Sequence, residues 1–160
     1  MVRIGFGYDA HQLMEGAPLI LGGVALPWSK GLVSHSDGDV LLHAIMDSLL
    51  GAACLGDIGA HFPDTDPSYL GYSSLMLLSE VNKRINAAGY EVNNIDCTLV
   101  AQEPKIMPFT HEMRVKISHA LGITPEQISV KATTTEHMGF TGREEGIACY
   151  AVCTLRAMTA

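Results

Sequence analysis

Charged side chains are scarce in this chain: 17% of its 160 residues are Asp, Glu, Lys or Arg, against about 25% in ordinary soluble domains. Part of the surface is therefore left for another protein surface to cover, which predicts a homo-oligomer. Positive charge is the scarcest. Ten Lys and Arg face seventeen Asp and Glu, for a net charge of -7. Clustered cations are what nucleic-acid backbones require, so nucleic acid is excluded as the main partner. Any phosphate must be bound locally, by backbone N–H groups, a few cations or a metal ion.

Long apolar runs are also missing, because Asp37, Asp39, His43 and Asp47 interrupt the most hydrophobic region; no membrane span is expected. The four cysteines, Cys54, Cys97, Cys149 and Cys153, make no C-x-x-C pair. Cys149 and Cys153 on one strand would lie about 13 Å apart, beyond disulfide reach. They read as small buried hydrophobes in a reducing compartment. Met1-Val2-Arg3-Ile4-Gly5 looks like the start of a strand rather than a secretion signal. A bacterial cytoplasm is the expected location, with a plastid stroma second. There is no G-x-S-x-G elbow, no Ser-His-Asp pattern and no Walker A loop, which removes the common protein nucleophiles and the P-loop. Linkers, repeats and low-complexity tracts are absent too. One domain over residues 1–160 is expected, long enough to bury roughly 70% of its unfolded surface.

What is present is a mixture of strand and helix signals. Val2 to Tyr8 reads as a strand ending in Asp9-Ala10-His11, and Pro18 to Pro27 as a hairpin turning at Gly22-Gly23. Asp39 to Leu55 has helical periodicity, with Ser36 or Asp37 as N-cap and with Asp39, His43 and Asp47 on a face of their own. Ser73 to Ala88 is a second helix stopped by Gly89, and Pro108 opens a third that ends at Gly122. Asn94–Val100, Ile128–Thr133 and Ile147–Leu155 are further strands. The order predicts an α+β two-layer sandwich: a mainly four-stranded mixed sheet, helices on one face, and a short hairpin.

Four segments carry candidate chemistry. Asp9 and His11 share one strand face, and His43 on the next helix can supply a third ligand. One carboxylate and two imidazoles leave a fourth zinc position open, the catalytic rather than the structural pattern. The plainer reading makes Asp9 a turn cap and the histidines incidental. His35-Ser36-Asp37-Gly38-Asp39 precedes a helix whose N-terminal N–H groups favour anions, or is an ordinary cap. Gly56 to Pro67 places Asp57, Asp64 and Asp66 among glycines and prolines, suited to hydroxyls or a divalent cation, or to a solvated turn cluster. Lys131 to Glu136, followed by Gly139-Phe140-Thr141-Gly142-Arg143, offers hydroxyls, bare backbone and one Arg to phosphate oxygens, with Glu136 as a Mg²⁺ ligand.

Taken in order and spacing, these segments resemble the 2-C-methyl-D-erythritol 2,4-cyclodiphosphate synthase family of the non-mevalonate isoprenoid pathway. The resemblance runs from Arg3-Ile4-Gly5 and Tyr8-Asp9-Ala10-His11 through His35–Val40 with His43, Gly56–Gly59 and Phe62–Pro67. It continues through Ala101-Gln102-Glu103-Pro104-Lys105 and Lys131–Glu136 to Gly139–Arg143 and Gly146-Ile147-Ala148. It implies a homotrimer around a three-fold axis with active sites between subunits. It implies closure of a diphosphocytidyl-methylerythritol 2-phosphate on itself with release of CMP. Zinc would sit on Asp9, His11 and His43, and His35 and Thr134 would stabilise the transition state. Ser36, Asp57, Ile58, Gly59, Phe62, Pro63, Asp64, Thr65 and Asp66 would hold the methylerythritol phosphate. Ala101, Gln102, Glu103, Pro104, Lys105, Ile106 and Met107 would form a cytosine pocket. Thr133, Thr135 and Glu136 would lie near the diphosphate with Mg²⁺ or Mn²⁺, and Phe140 and Arg143 would be further contacts. Two rivals stay open on the residues alone: a zinc phosphohydrolase, and a non-enzymatic trimeric scaffold with structural zinc.

Overall fold

The computed structural model describes residues 1–63, 65–69 and 71–158. Strand β1 spans Val2–Glu15, far beyond the predicted Tyr8, because it stays paired with β7 (Gly146–Ala157) from Val2 to Gln12. Strands β2 (Leu19–Leu21) and β3 (Val24–Leu26) form the expected hairpin. Strand β4 (Lys30–Leu32) adds antiparallel to the far end of β1. Strand β5 (Tyr90–Val100) pairs antiparallel with β7 and parallel with β6 (Ile128–Thr133). The main sheet therefore has five strands in the order β4-β1-β7-β5-β6, one more than expected. Lys-Gly-Leu is too short to show the period-2 alternation by which strands are read from sequence.

The helices are α1 (Val40–Ala52), a single turn α2 (Ile58–His61), α3 (Ser74–Ala87), α4 (Thr110–Leu121) and a second single turn α5 (Gly139–Gly142). Helix α4 forms the crossover that parallel strands β5 and β6 require. The core lies between the sheet and the helices: α1 packs on β1 and β7, and α3 packs on α1 and α4. Leu41, Leu42, Ile45, Met46, Leu49 and Leu50 of α1 are all fully buried. The face expected for Asp39, His43 and Asp47 is largely covered, with Asp39 and His43 buried and Asp47 half-buried, because α1 has the sheet on one side and helix and hairpin on the other.

Two features fix α1 in place. Along β1, Gly5 and Gly7 face it so closely that an added Cβ would stand 1.8 Å from the Ser48 carbonyl oxygen and 2.0 Å from that of Ala44. Their cross-strand partners on β7 are Cys153 and Ala151, which are also small. The N-terminus of α1 is held by Asp39, which corrects the expected cap. The Asp39 carboxylate accepts from Leu42 N–H at 3.1 Å, and also from Gly22 and Gly23 N–H at 2.9 and 2.7 Å. Both glycines have positive φ, 59° and 73°, which points two successive N–H groups at one acceptor. Hairpin and helix are thereby joined through a single side chain.

Candidate metal centre and two clefts

The alternation of β1 that turns Gly5 and Gly7 towards α1 turns Asp9 and His11 the same way. His43 lies one turn into α1 and is buried. The close approach of helix and strand brings the three together. Asp9 Oδ2 lies 3.0 Å from His11 Nε2 and 3.0 Å from His43 Nδ1, and the two ring nitrogens are 3.0 Å apart. Three ligand atoms in a triangle of this edge fit one small ion: a tetrahedral zinc with bonds of about 2.0–2.1 Å holds its ligands roughly 3.3 Å apart. The arrangement is that of a candidate metal site.

Charge follows the geometry. Burial works against the Asp9 carboxylate, but hydrogen bonds from His11 and His43 outweigh it and hold Asp9 well below the usual carboxylate range. Burial likewise disfavours a charged His43, yet the adjacent Asp9 raises it. Asp39 is pushed by complete burial up to about 6, with the N–H donors of Gly23, Gly22 and Leu42 opposing the rise. The Asp39 side chain bonds only backbone N–H groups and leaves the His43 ring to Asp9 and two serine hydroxyls.

A cleft of about 440 Å³ opens on the triad. Of the site residues named from sequence it gathers His35, Ser36, Ile58, Gly59, Phe62, Thr65 and Asp66, and it adds Ser34, Met46, Pro67, Tyr69 and Leu77. Tyr69 stacks edge-on against Phe62 at 5.4 Å. The Ile58–His61 turn is tethered to α1, where Asp47 Oδ1 accepts the Ile58 N–H at 2.8 Å. Asp57 and Pro63 do not line this cleft; Asp57 caps the turn by accepting from Ala60 N–H. Asp64 lies outside the described residues.

A second cleft of about 270 Å³ lies where β5 and β6 end, towards the β6 edge of the sheet. Ala101, Gln102, Pro104, Lys105, Ile106 and Met107 line it with Thr133 and Thr134, whereas Glu103 does not. The two clefts share no lining residue. His35 and Thr134, expected to act together, therefore stand in different cavities of one chain.

A family model for the YgbB family matches residues 2–156. The chain belongs to the YgbB family. The 2-C-methyl-D-erythritol 2,4-cyclodiphosphate synthase of Agathobacter rectalis is 57% identical over 157 residues, which cover 98% of this chain and 89% of that one. The enzyme of the same name from Clostridium perfringens is 58% identical over 154 residues, 96% of this chain and 99% of its own. Among solved structures, the bifunctional IspDF from Campylobacter jejuni matches with a TM-score of 0.95 and 42% identity over 99% of this chain. The chain spans 43% of that longer protein. The IspF of Plasmodium falciparum, solved as a CDP complex, matches at TM-score 0.87 and 37% identity, over 99% of this chain and 97% of its own.

In this YgbB chain the remaining expected contacts lie outside both clefts. Glu136, with φ of 51°, accepts from Thr134 Oγ1 at 2.9 Å. Thr135 Oγ1 bonds within its own turn, to the Met138 carbonyl and to Thr141 Oγ1. Phe140 is exposed, and Arg143 is spent on Glu145, with Nε 2.9 Å from Oε1. Sequence reading missed Ser74, which touches His43; a serine at the first position of a helix carries no signal of a distant histidine.

Proposed function

We propose that the protein is a 2-C-methyl-D-erythritol 2,4-cyclodiphosphate synthase. It closes 4-diphosphocytidyl-2-C-methyl-D-erythritol 2-phosphate into the cyclic diphosphate and releases CMP. The observation that carries this reading is the Asp9, His11 and His43 triangle opening on the 440 Å³ cleft, in a chain 57% identical to a synthase of that name over 98% of its length. A 2-phosphate oxygen attacks the β-phosphorus, the bond from that phosphorus to the CMP oxygen breaks, and CMP leaves with the electron pair. No protein nucleophile is needed, in keeping with a sequence that offers none. The protein's work is positioning and charge stabilisation.

A zinc ion on Asp9, His11 and His43 would supply Lewis acidity to phosphate oxygens at its open fourth position. Glu136 would meet the Mg²⁺ or Mn²⁺ that accompanies the diphosphate. His35 and Thr134 would donate to charge developing on the phosphoryl oxygens. Ser36, Ile58, Gly59, Phe62, Thr65 and Asp66 would hold the methylerythritol phosphate, with Asp57 and Pro63 flanking them. The Ala101–Met107 loop would take the cytosine, Thr133 and Thr135 would border the diphosphate, and Phe140 and Arg143 would add outer contacts.

The working unit would be a homotrimer with each active site between neighbours, residues 1–160 acting as one catalytic domain. Two observations support this. The sheet face turned away from the helices exposes Val2, Ile4, Phe6, Tyr8, Tyr150 and Val152, with 73% of Ile4 and 62% of Phe6 accessible. The second is the separation of the two clefts: a substrate reaching both kinds of lining is better served by the first cleft of one copy and the second of another. The proposed location is a bacterial cytoplasm; no helix among the described residues is long and apolar enough to cross a membrane.

Phosphorus NMR of the purified protein with this substrate and Mg²⁺ tests the reading. CMP and a cyclic diphosphate should appear in step, and both should be lost on zinc chelation. Linear phosphate products would replace the synthase by a phosphohydrolase, and no conversion by folded, zinc-loaded protein would leave a scaffold.

A further inference from the structure

The sequence leaves Asp37 as a helix-cap candidate, and nothing in the proposed reaction uses it or Ser74. Both stand behind the metal triangle. His43 turns Nδ1 towards Asp9 and His11, and its other nitrogen, Nε2, faces two hydroxyls, Ser74 Oγ at 3.1 Å and Ser36 Oγ at 3.2 Å. Ser74 is fully buried. Its hydroxyl lies 2.5 Å from Asp37 Oδ1, and its backbone N–H donates to Asp37 Oδ2 at 2.8 Å. Asp37 Oδ1 also accepts the Asp39 N–H at 3.2 Å.

Counting protons orders this chain of contacts. The Asp37 carboxylate can only accept, so the single Ser74 hydroxyl proton goes to it, the charge-assisted bond being the stronger choice. Ser74 Oγ then has only lone pairs for His43, so Nε2 must carry a proton and donate. Ser36 does not decide the matter, because its hydroxyl can either accept from Nε2 or turn to Ser34 Oγ, 3.2 Å away. With Nε2–H fixed as a donor, the lone pair available for a metal is on Nδ1, the atom that faces Asp9 and His11.

We infer that Ser74, held by Asp37, is a positioning residue that fixes the ring orientation and tautomer of His43 and so tightens metal binding at the triad. The inference rests on the metal reading above and extends it to two residues that touch neither substrate nor ion. Outer partners of this kind typically change metal affinity about tenfold to a hundredfold. The hydroxyl can be removed cleanly. In Ser74→Ala the backbone N–H remains, so the Asp37 bond that caps α3 survives.

The experiment is chelator competition for zinc at fixed pH on the full-length wild type, Ser74→Ala, Ser74→Thr and Ser118→Ala. Ser118 is an equally buried serine on α4 whose hydroxyl bonds the Val115 carbonyl, and it controls for lost stability. Ser74→Ala should bind zinc about tenfold to a hundredfold more weakly, while the other two variants stay within about threefold of wild type. In the zinc-loaded wild type, nitrogen-detected histidine spectra should show His43 protonated on Nε2, with that proton exchanging faster in Ser74→Ala. Unchanged zinc affinity in Ser74→Ala, or an equal loss in Ser118→Ala, would overturn the relay while leaving the metal site intact. A wild type that takes up no zinc would instead remove the metal reading on which the relay stands.

Discussion

Replacing Gly7 by alanine should damage the metal centre without touching a ligand. The new Cβ would lie 2.0 Å from the Ala44 carbonyl oxygen and 2.8 Å from the Ser48 nitrogen, both backbone atoms of α1. Strand β1 cannot retreat, because it is paired with β7 from Val2 to Gln12. The helix must move instead. An ordinary contact needs about 3.4 Å, so α1 has to shift by roughly 1.4 Å near Ala44. His43 is the neighbouring residue, and metal ligands tolerate displacements of only about 0.2 Å. Overpacking of this kind costs about 1–3 kcal/mol or more, which at roughly 2–4 °C per kcal/mol lowers Tm by about 2–12 °C. Zinc affinity, read by chelator competition below the new Tm, should fall by at least about tenfold. The matched control is Gly51→Ala on the same helix, where an added Cβ meets nothing within 4 Å and should stabilise by up to about 1 kcal/mol. A Gly7→Ala protein with wild-type Tm and wild-type zinc affinity would refute the claim that close strand–helix contact sets the ligand triangle.

Three further outcomes are expected. His43→Ala should keep its circular dichroism spectrum but lose zinc uptake and CMP release together; turnover by a zinc-free variant would end the metal's assigned role. Asp39 has its folded pKa raised by burial to about 6, so the stability it contributes is complete below its unfolded value of about 3.9 and is lost as pH rises through 6. Urea melts of wild type and Asp39→Asn should accordingly diverge between pH 4 and 7 by on the order of 2–3 kcal/mol, with wild type losing ground as pH rises; a constant difference would sink the assignment. Phe6→Glu on the open sheet face should leave the chain folded but sediment near the 17.1 kDa of one copy, whereas wild type should sediment near three times that mass. A wild type that is monomeric at micromolar concentration would refute the trimer.

Much of the site was legible in the sequence because it depends on local periodicity. Asp9 and His11 are two residues apart on a strand and must share a face, and His43 recurs in a helical segment close by. The hairpin at Gly22-Gly23, the helices ending before Gly89 and at Gly122, and the strands around Cys97 and Cys149 are likewise set by short-range patterns. The family resemblance drew on the same motifs in the same order.

Other features depend on contacts across the fold, where short-range patterns are silent. The fifth strand, Lys30–Leu32, exists only because the far end of β1 offers an unpaired edge. Asp39, and not Ser36 or Asp37, caps α1, and the hairpin presents two further N–H groups to it from seventeen and sixteen residues away. Ser74 meets His43 across 31 residues of chain, on a helix whose own sequence gives no hint of the meeting. The family resemblance makes partners of His35 and Thr134, yet the fold of one chain sends them to different clefts. Periodicity determines which way a side chain faces. Only the packing of α1 into the glycine trough of β1, and of hairpin and α3 around it, decides what that side chain meets.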